Sequence, residues 1–332
     1  MKFAIVNVVW GKDYIKFFTE VSLPLCLSPN NLGYLAKNVN SIYCIYTDEP
    51  GATLIQKSPM FKRLQDTIPI GFRLLTHDKG HIMPISHNFA LEEFGNGRTA
   101  LVFICPDLLM ADGTFKYLYE TVKKGKKAVM ACGARVSMES ALRDLKCKHL
   151  HPGKEIITPR ELVRLALYHM HPQMRKMFWS DKNSYFWPSH IYWNAGNTGY
   201  IVHPFHVHPL LVVPGAGVEP KGTIDGDLIL RSGIQLQDID LVTDSDQLCI
   251  MEASSSIVHP IDVHVNINSV EFVAGWAKEF ADEWHRYYFK NTFRYHSEDL
   301  TNEWKDVERK ANEAVDKILM VLGDKGLLPG GK

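Results

Sequence analysis

The feature that most constrains the fold is an alternation through the first 140 residues. Short apolar runs are each followed by a stretch whose apolar residues recur at helical spacing. "FAIVNVVW" opens the series and Gly11 closes it; Tyr14, Phe17, Phe18 and Val21 then mark a helix, with Asp13 as its cap and Pro24 as its stop. "SIYCIYTDEPG" and "FRLLTHD" are the next strand candidates. "SHNFALEEFGNGRTALVFICPD" passes from a helix through a Gly turn into a fourth strand, and "TFKYLYETVKKGKKAVMACGARVS" repeats the pattern. Strands separated by helix-length segments require crossovers, so the expectation is an α/β fold with a mostly parallel central sheet flanked by helices. Ligands of such sheets bind beyond the carboxyl ends of the strands.

Those ends are therefore the first candidate site residues. The first strand reaches Trp10, the second ends at Thr47 and Asp48, and the fourth, "LVFICPD", stops at Pro106 and Asp107. Pro106 has no N–H and cannot continue an interior ladder, so the acid after it is placed at an edge. A nucleotide could lie across these ends. Asp48 can equally be a turn residue ahead of Glu49 and Pro50.

Composition removes several function classes. Lys+Arg and Asp+Glu are both 37, so no global charge favours nucleic acid or an anionic membrane. No run approaches the roughly 20 apolar residues that span a bilayer, and "MKFAIVNVVWGKD" reads as a first strand rather than a signal peptide. The six cysteines are scattered without a C-x-x-C pair and sit mostly in apolar runs, as buried free thiols do; a cytoplasmic location is expected.

Beyond residue 140 the pattern changes. "TPRELVRLALYHMHP" has a capping-box start, and "SHIYWNAGNTGYIVHPFHVHPLLVVP" is aromatic and β-branched, broken by Gly, Asn and Pro. Near the end, Phe272, Trp276, Phe280, Trp284 and Tyr288 fall every four residues, and a last helix runs to Gly323. The expected division is a domain over 1–268, with halves 1–140 and 141–268, followed by a helical extension over 269–332.

The run "SHNFALEEFGNGRTALVFICPDLLMADG" resembles the central segment of the GT-A fold, nucleotide-sugar-dependent glycosyltransferases, family 2 above all, and the layout resembles uncharacterised bacterial glycosyltransferase-like proteins. Asn88 matches the family's helix asparagine, and Asp107 matches the second acid of its Asp-x-Asp motif, where Cys105 replaces the first. "GTIDGDLILRSG" resembles the family's acidic turn before a helix, with Asp225 on the position of the general base and Asp227 beside it. The resemblance implies a GT-A (Rossmann-like) fold and transfer of a sugar from a nucleoside diphosphate to a hydroxyl acceptor, a glycan or surface polysaccharide, with inversion. It implies that Trp10, Thr47, Asp48, Asn88 and Asp107 bind the nucleotide sugar and that Asp225 deprotonates the acceptor. Mn²⁺ or Mg²⁺ at the diphosphate normally takes one or two carboxylates. With Cys105 in place, Asp107 holds such a metal with help from elsewhere, or the diphosphate is neutralised without one, or activity is lost.

The remaining motifs have two readings each. Asp225 and Asp227 can be helix N-caps. In "IVHPFHVHPL", His206 and His208 on one strand would share a face and could join Asp107 as metal ligands, while His203, His206 and His208 can also be core histidines. The literal Asp244-x-Asp246 reads as a hairpin turn, "KKGKK" as a solvated turn, and the aromatic stripe as packing against the main domain. Alternatives to the transferase are a non-catalytic sugar- or nucleotide-binding relative and a sugar nucleotidyltransferase. Peripheral membrane association and homo-oligomerisation stay open.

Overall fold

Lys2–Val8 forms the central strand because Phe3 to Val8 are all buried, as a strand covered on both faces must be. The one polar side chain among these buried residues is Asn7, whose Nδ2 donates to the Tyr43 hydroxyl of the next strand at 2.7 Å. The computed structural model describes residues 1–75, 82–179, 187–218, 224, 227–256 and 269–323. These divide into two compact units, one made of 1–131, 142–158 and 208–241 and the other of 132–141, 159–207 and 242–332.

The first unit is built on a seven-stranded, mostly parallel sheet. Its strands are β1 (Lys2–Val8), β2 (Ser41–Thr47), β3 (Ile70–Leu74), β4 (Thr99–Ile104), β5 (Ala128–Ala131), β6 (His208–Val212) and β7 (Ile239–Leu241), in the order β7-β5-β6-β4-β1-β2-β3. All neighbouring pairs are parallel except those of β6, which runs antiparallel to both β4 and β5. Helices Glu49–Gln56, Pro59–Thr67, Ile82–Phe94 and Thr114–Lys123 lie along the crossovers, as the alternation predicts.

The entry to the first crossover differs from expectation. Gly11, at φ 82°, starts the helix Lys12–Phe17, and Asp13 sits in its first turn rather than at its cap. Pro24 does not stop it. A π-helical turn, Phe18–Ser22, resets the hydrogen-bond ladder, so Pro24 enters the following turn Leu23–Cys26 near its start, where its missing N–H costs nothing.

The second unit carries an antiparallel sheet, His190–Asn194 with Gly199–Pro204 and Gly199–Pro204 with Phe293–His296, and a parallel pair, Ala134–Ser137 with Ile250–Ser254. Helices Val270–Phe280, Glu283–Lys290 and Asn302–Val321 pack on this sheet through Trp276, Phe289, Trp304 and Val315, and the Phe205 and Phe289 rings stack 3.9 Å apart. The expected boundary at 268 and the purely helical extension are therefore corrected. The C-terminal residues carry a strand that pairs with Gly199–Pro204, so they complete a unit whose core begins before residue 200. No described helix is long and apolar enough to cross a membrane.

Candidate functional site

In the first unit, register places the candidate residues along one edge. Val8 pairs with Tyr46, Asn7 with Ile104, and Thr47 with Leu74, so the carboxyl ends of β1 to β4 are level. β1 ends at Val8, two residues before the expected Trp10, which follows it at the edge half-buried. Cys105, Pro106 and Asp107 turn the chain beyond β4, with the Leu108 N–H donating to the Cys105 carbonyl at 3.2 Å and Ser22 Oγ donating to the Pro106 carbonyl at 2.7 Å. The antiparallel β6 adds a side chain from the opposite direction. Its first residue, His208, is level with Ala131, the last residue of β5, and so arrives at this same edge.

Asp48 caps the helix Glu49–Gln56, its Oδ1 accepting from the Gly51 N–H at 2.7 Å. Gly51 is required there, since a Cβ would stand 2.3 Å from Thr47 Oγ1 and 2.6 Å from Asp48 Oδ1. The turn reading of Asp48 thus describes what one carboxylate oxygen does. Two other side-chain oxygens, Thr47 Oγ1 and Asn88 Oδ1, are buried with no hydrogen-bond partner among the described residues. Buried polar atoms are rarely left so, and an orphaned acceptor at a sheet edge is what a bound ligand's donor would satisfy.

His87, which no sequence motif singles out, ties the site together. Its ring stands edge-on to Phe103 with centroids 5.2 Å apart, and its Nδ1 accepts the Ile224 N–H at 3.2 Å. Burial first, and His208 second, push its pKa down to about 3, so it is neutral near pH 7. His208 Nε2 lies 3.0 Å from the Phe103 carbonyl, and because a carbonyl only accepts, that nitrogen carries the proton. The backbone one residue before Asp225 is thereby fixed to the helix that bears Asn88. Asp225 itself lies outside the described residues, and Asp227 opens the helix Asp227–Arg231. Replacing His87 by Phe should leave the Ile224 N–H buried and unpaired, at about 1–3 kcal/mol. His87→Gln retains an acceptor and should lose less; equal urea midpoints for wild type and His87→Phe would remove this contact from the account.

The two histidines of the H-x-H do not share a strand. Gly199–Pro204 ends before them and β6 begins at His208, so the alternation that would set both rings on one face does not apply. His206 instead meets His285, ring centroids 4.4 Å apart, and Trp276. His203 is fully buried, its Nδ1 donating to the Phe289 carbonyl at 2.9 Å. Chemically, Asp107 with a neighbouring thiol is a poor match to a hard, oxygen-seeking Mg²⁺ or Mn²⁺, which takes several oxygen ligands.

Among the described residues, three potential metal ligands converge in one place, Asp244, Asp246 and His296 of the second unit. "TDSD" is a turn but not a hairpin, because Ile239–Leu241 and Ile250–Ser254 pair with different strands and not with each other. Its acids are engaged internally: Asp246 takes the Arg160 guanidinium through both oxygens at 2.8 to 3.2 Å, and Asp244 lies 3.0 Å from His296 Nε2. The hydrogen bond to His296 leads in holding the Asp244 carboxyl below its usual range and, reciprocally, in raising the His296 pKa. "KKGKK" is a turn, as expected, with Lys127 paired to Asp238 at 2.8 Å.

No family model matches the chain, and no curated protein matches it. Among solved structures it is similar to S. aureus TarS (13% identity, TM-score 0.30, over 41% of this chain and 22% of that one). It is also similar to mouse xyloside xylosyltransferase 1 (10%, TM-score 0.29, 46% and 60%) and to a putative glucose-1-phosphate thymidylyltransferase from Bacillus anthracis (13%, TM-score 0.25, 42% and 57%). The chain thus spans less than two thirds of each of these proteins, and similarity this slight bears on neither ligand nor activity.

Proposed function

We propose that the first unit binds a nucleotide sugar along the carboxyl edge of its sheet and that the protein transfers the sugar to a hydroxyl acceptor. The observation that carries this is the convergence at one edge: Trp10, Thr47, Asp48, Asp107 and His208 by strand register, and Asn88 and the residue preceding Asp225 through His87. Trp10, Thr47 and Asp48 would face the base and ribose, and Asn88 and Asp107 the ribose and diphosphate. Asp225 would take the acceptor's proton as the acceptor oxygen bonds to the anomeric carbon. The bond to the diphosphate breaks with its electron pair, which leaves on the nucleotide, and the anomeric centre inverts. Backbone N–H groups would stabilise the departing charge, and no step is assigned to a metal.

A thermal-shift panel of nucleoside diphosphates and nucleotide sugars, with and without Mn²⁺, tests this. A ligand selective for the native state must raise the melting temperature, and no shift from any nucleotide would sink the reading. Asp107→Ala should weaken donor binding about tenfold, the size expected of one charge-assisted hydrogen bond; unchanged affinity in both conditions would remove Asp107 from the donor site. Cys105, standing where the resemblance expects an acid, favours one second reading, a protein that binds the nucleotide sugar without turning it over. Binding with no transfer to any acceptor would identify it.

A further inference from the structure

The second unit contains a cavity of about 850 Å³ that none of the residues above explains. Its size lies within the span of small-ligand pockets, roughly 300–1,000 Å³. It is lined by Arg164 and Tyr168 of the helix Pro159–Tyr168, by the turn Gly196–Thr198 with Ser297 and Glu298, and by Arg175 and Trp179.

The walls are fixed to one another. Arg164 Nη2 donates to the Ser297 carbonyl at 3.2 Å, the Ser297 N–H and hydroxyl both donate to the Thr198 carbonyl at 2.8 and 3.1 Å, and the Trp304 indole N–H donates to Thr198 Oγ1 at 3.1 Å. The Trp179 N–H donates to the Tyr192 carbonyl at 2.7 Å, and its indole stacks on Trp193, 5.7 Å between centroids at 23°. The cavity is therefore formed before any ligand arrives, and its aromatic face is held rigid.

Its chemistry is specific. Among the described lining residues, two guanidinium groups, Arg164 and Arg175, and one carboxylate, Glu298, carry charge. The side chains of Asn194, Asn197 and Tyr168 make no hydrogen bond to another described residue, and Tyr168 is 73% exposed although aromatic. A flat aromatic face suits the C–H side of a pyranose ring, amides and a phenol suit its hydroxyl groups, and guanidinium suits a carboxylate or phosphate. We infer that this cavity binds a saccharide carrying an acidic group. That such a saccharide is the acceptor rests on the transferase reading above; that it binds here does not.

The test uses the full chain without donor. Isothermal titration and tryptophan fluorescence are followed for glucuronate and glucose 6-phosphate, with glucose and inorganic phosphate as controls. One or both acidic sugars should bind at least about tenfold more tightly than either control, one charge-assisted contact being worth about that factor. The tighter of the two identifies the acidic group. Trp179→Ala and Arg175→Gln should each weaken binding about tenfold. Tyr168→Ala, which removes an exposed side chain and so cannot unfold the unit, should weaken it several-fold. Equal affinity for glucose and the acidic sugars, for inorganic phosphate and glucose 6-phosphate, or for wild type and Tyr168→Ala would overturn the inference, as would no detectable binding. Acidic sugars binding here while nucleotides produce no thermal shift would overturn the transferase and leave this site standing; the converse would do the reverse.

Discussion

Asp225→Asn should abolish sugar transfer, with a rate loss of about 10²–10⁴-fold, while nucleotide affinity changes by no more than a few-fold. The substitution keeps the size of the side chain and removes only its capacity to accept the acceptor's proton, so a base and a mere helix cap separate cleanly. An N-cap asparagine serves as well as aspartate, and a capping role predicts near-normal turnover. The expected split between rate and affinity follows from placement: the Ile224 N–H is held by His87, so the chain entering residue 225 keeps its path when the carboxylate is lost. Single-turnover transfer and equilibrium nucleotide binding measured on the same variant decide it, and retained turnover would take Asp225 out of the role.

Acidification should destabilise the protein in the window below about pH 6.5, the ordinary histidine value. Burial lowers the pKa of His87 to about 3 and of His203 to about 4, and both side chains are almost wholly inaccessible. Each is neutral when folded and free to take a proton when unfolded. Their neutral state therefore contributes fully above the unfolded pKa, and the folded state loses ground as pH falls towards the folded values. At pH 5 the loss is about 2 kcal/mol for each, about 4 kcal/mol together. His296 has the opposite sign: with its pKa raised first by Asp244, its contribution is complete below the unfolded value and fades as pH climbs through the folded one. Urea midpoints at pH 7.5 and pH 5 test this. The midpoint should fall at pH 5, and His203→Gln should flatten the dependence; a midpoint independent of pH would show that these rings are protonated in the folded state.

What the sequence reveals and what it hides divide along the range of the interactions involved. β1 to β5 are legible because each is a short apolar run beside a helix of matching length, a local property. Asp48 and Thr47 are found the same way, at the end of a recognisable strand. The place of β6 is not legible, since nothing in "HPLLVV" says that it inserts antiparallel between β4 and β5, and with it goes the arrival of His208 at the edge. His87 gives no local sign either, because its partner Ile224 is 137 residues away. The tail misleads for a related reason. Its aromatic four-residue spacing is helical, but the residues it packs on, Phe205 and Trp193 among them, come from far upstream, so a unit assembled from three stretches of chain reads as an extension.

The insertion of β6 has a consequence for synthesis. β4 and β5 are not neighbours; each meets β6, and β5 has β7 on its other side. Until residues 208–212 have left the ribosome, β4 presents an open edge and β5 has no strand to pair with. Unpaired edges of this kind recruit other chains, and contacts between distant residues form slowly. The nascent protein thus carries an unfinished first unit through the translation of nearly the whole middle of the chain, and the second unit's segment 159–207 emerges before the first can close. Chain order and folding order are interleaved, and the strand that completes the sheet is the one whose first residue delivers His208 to the binding edge.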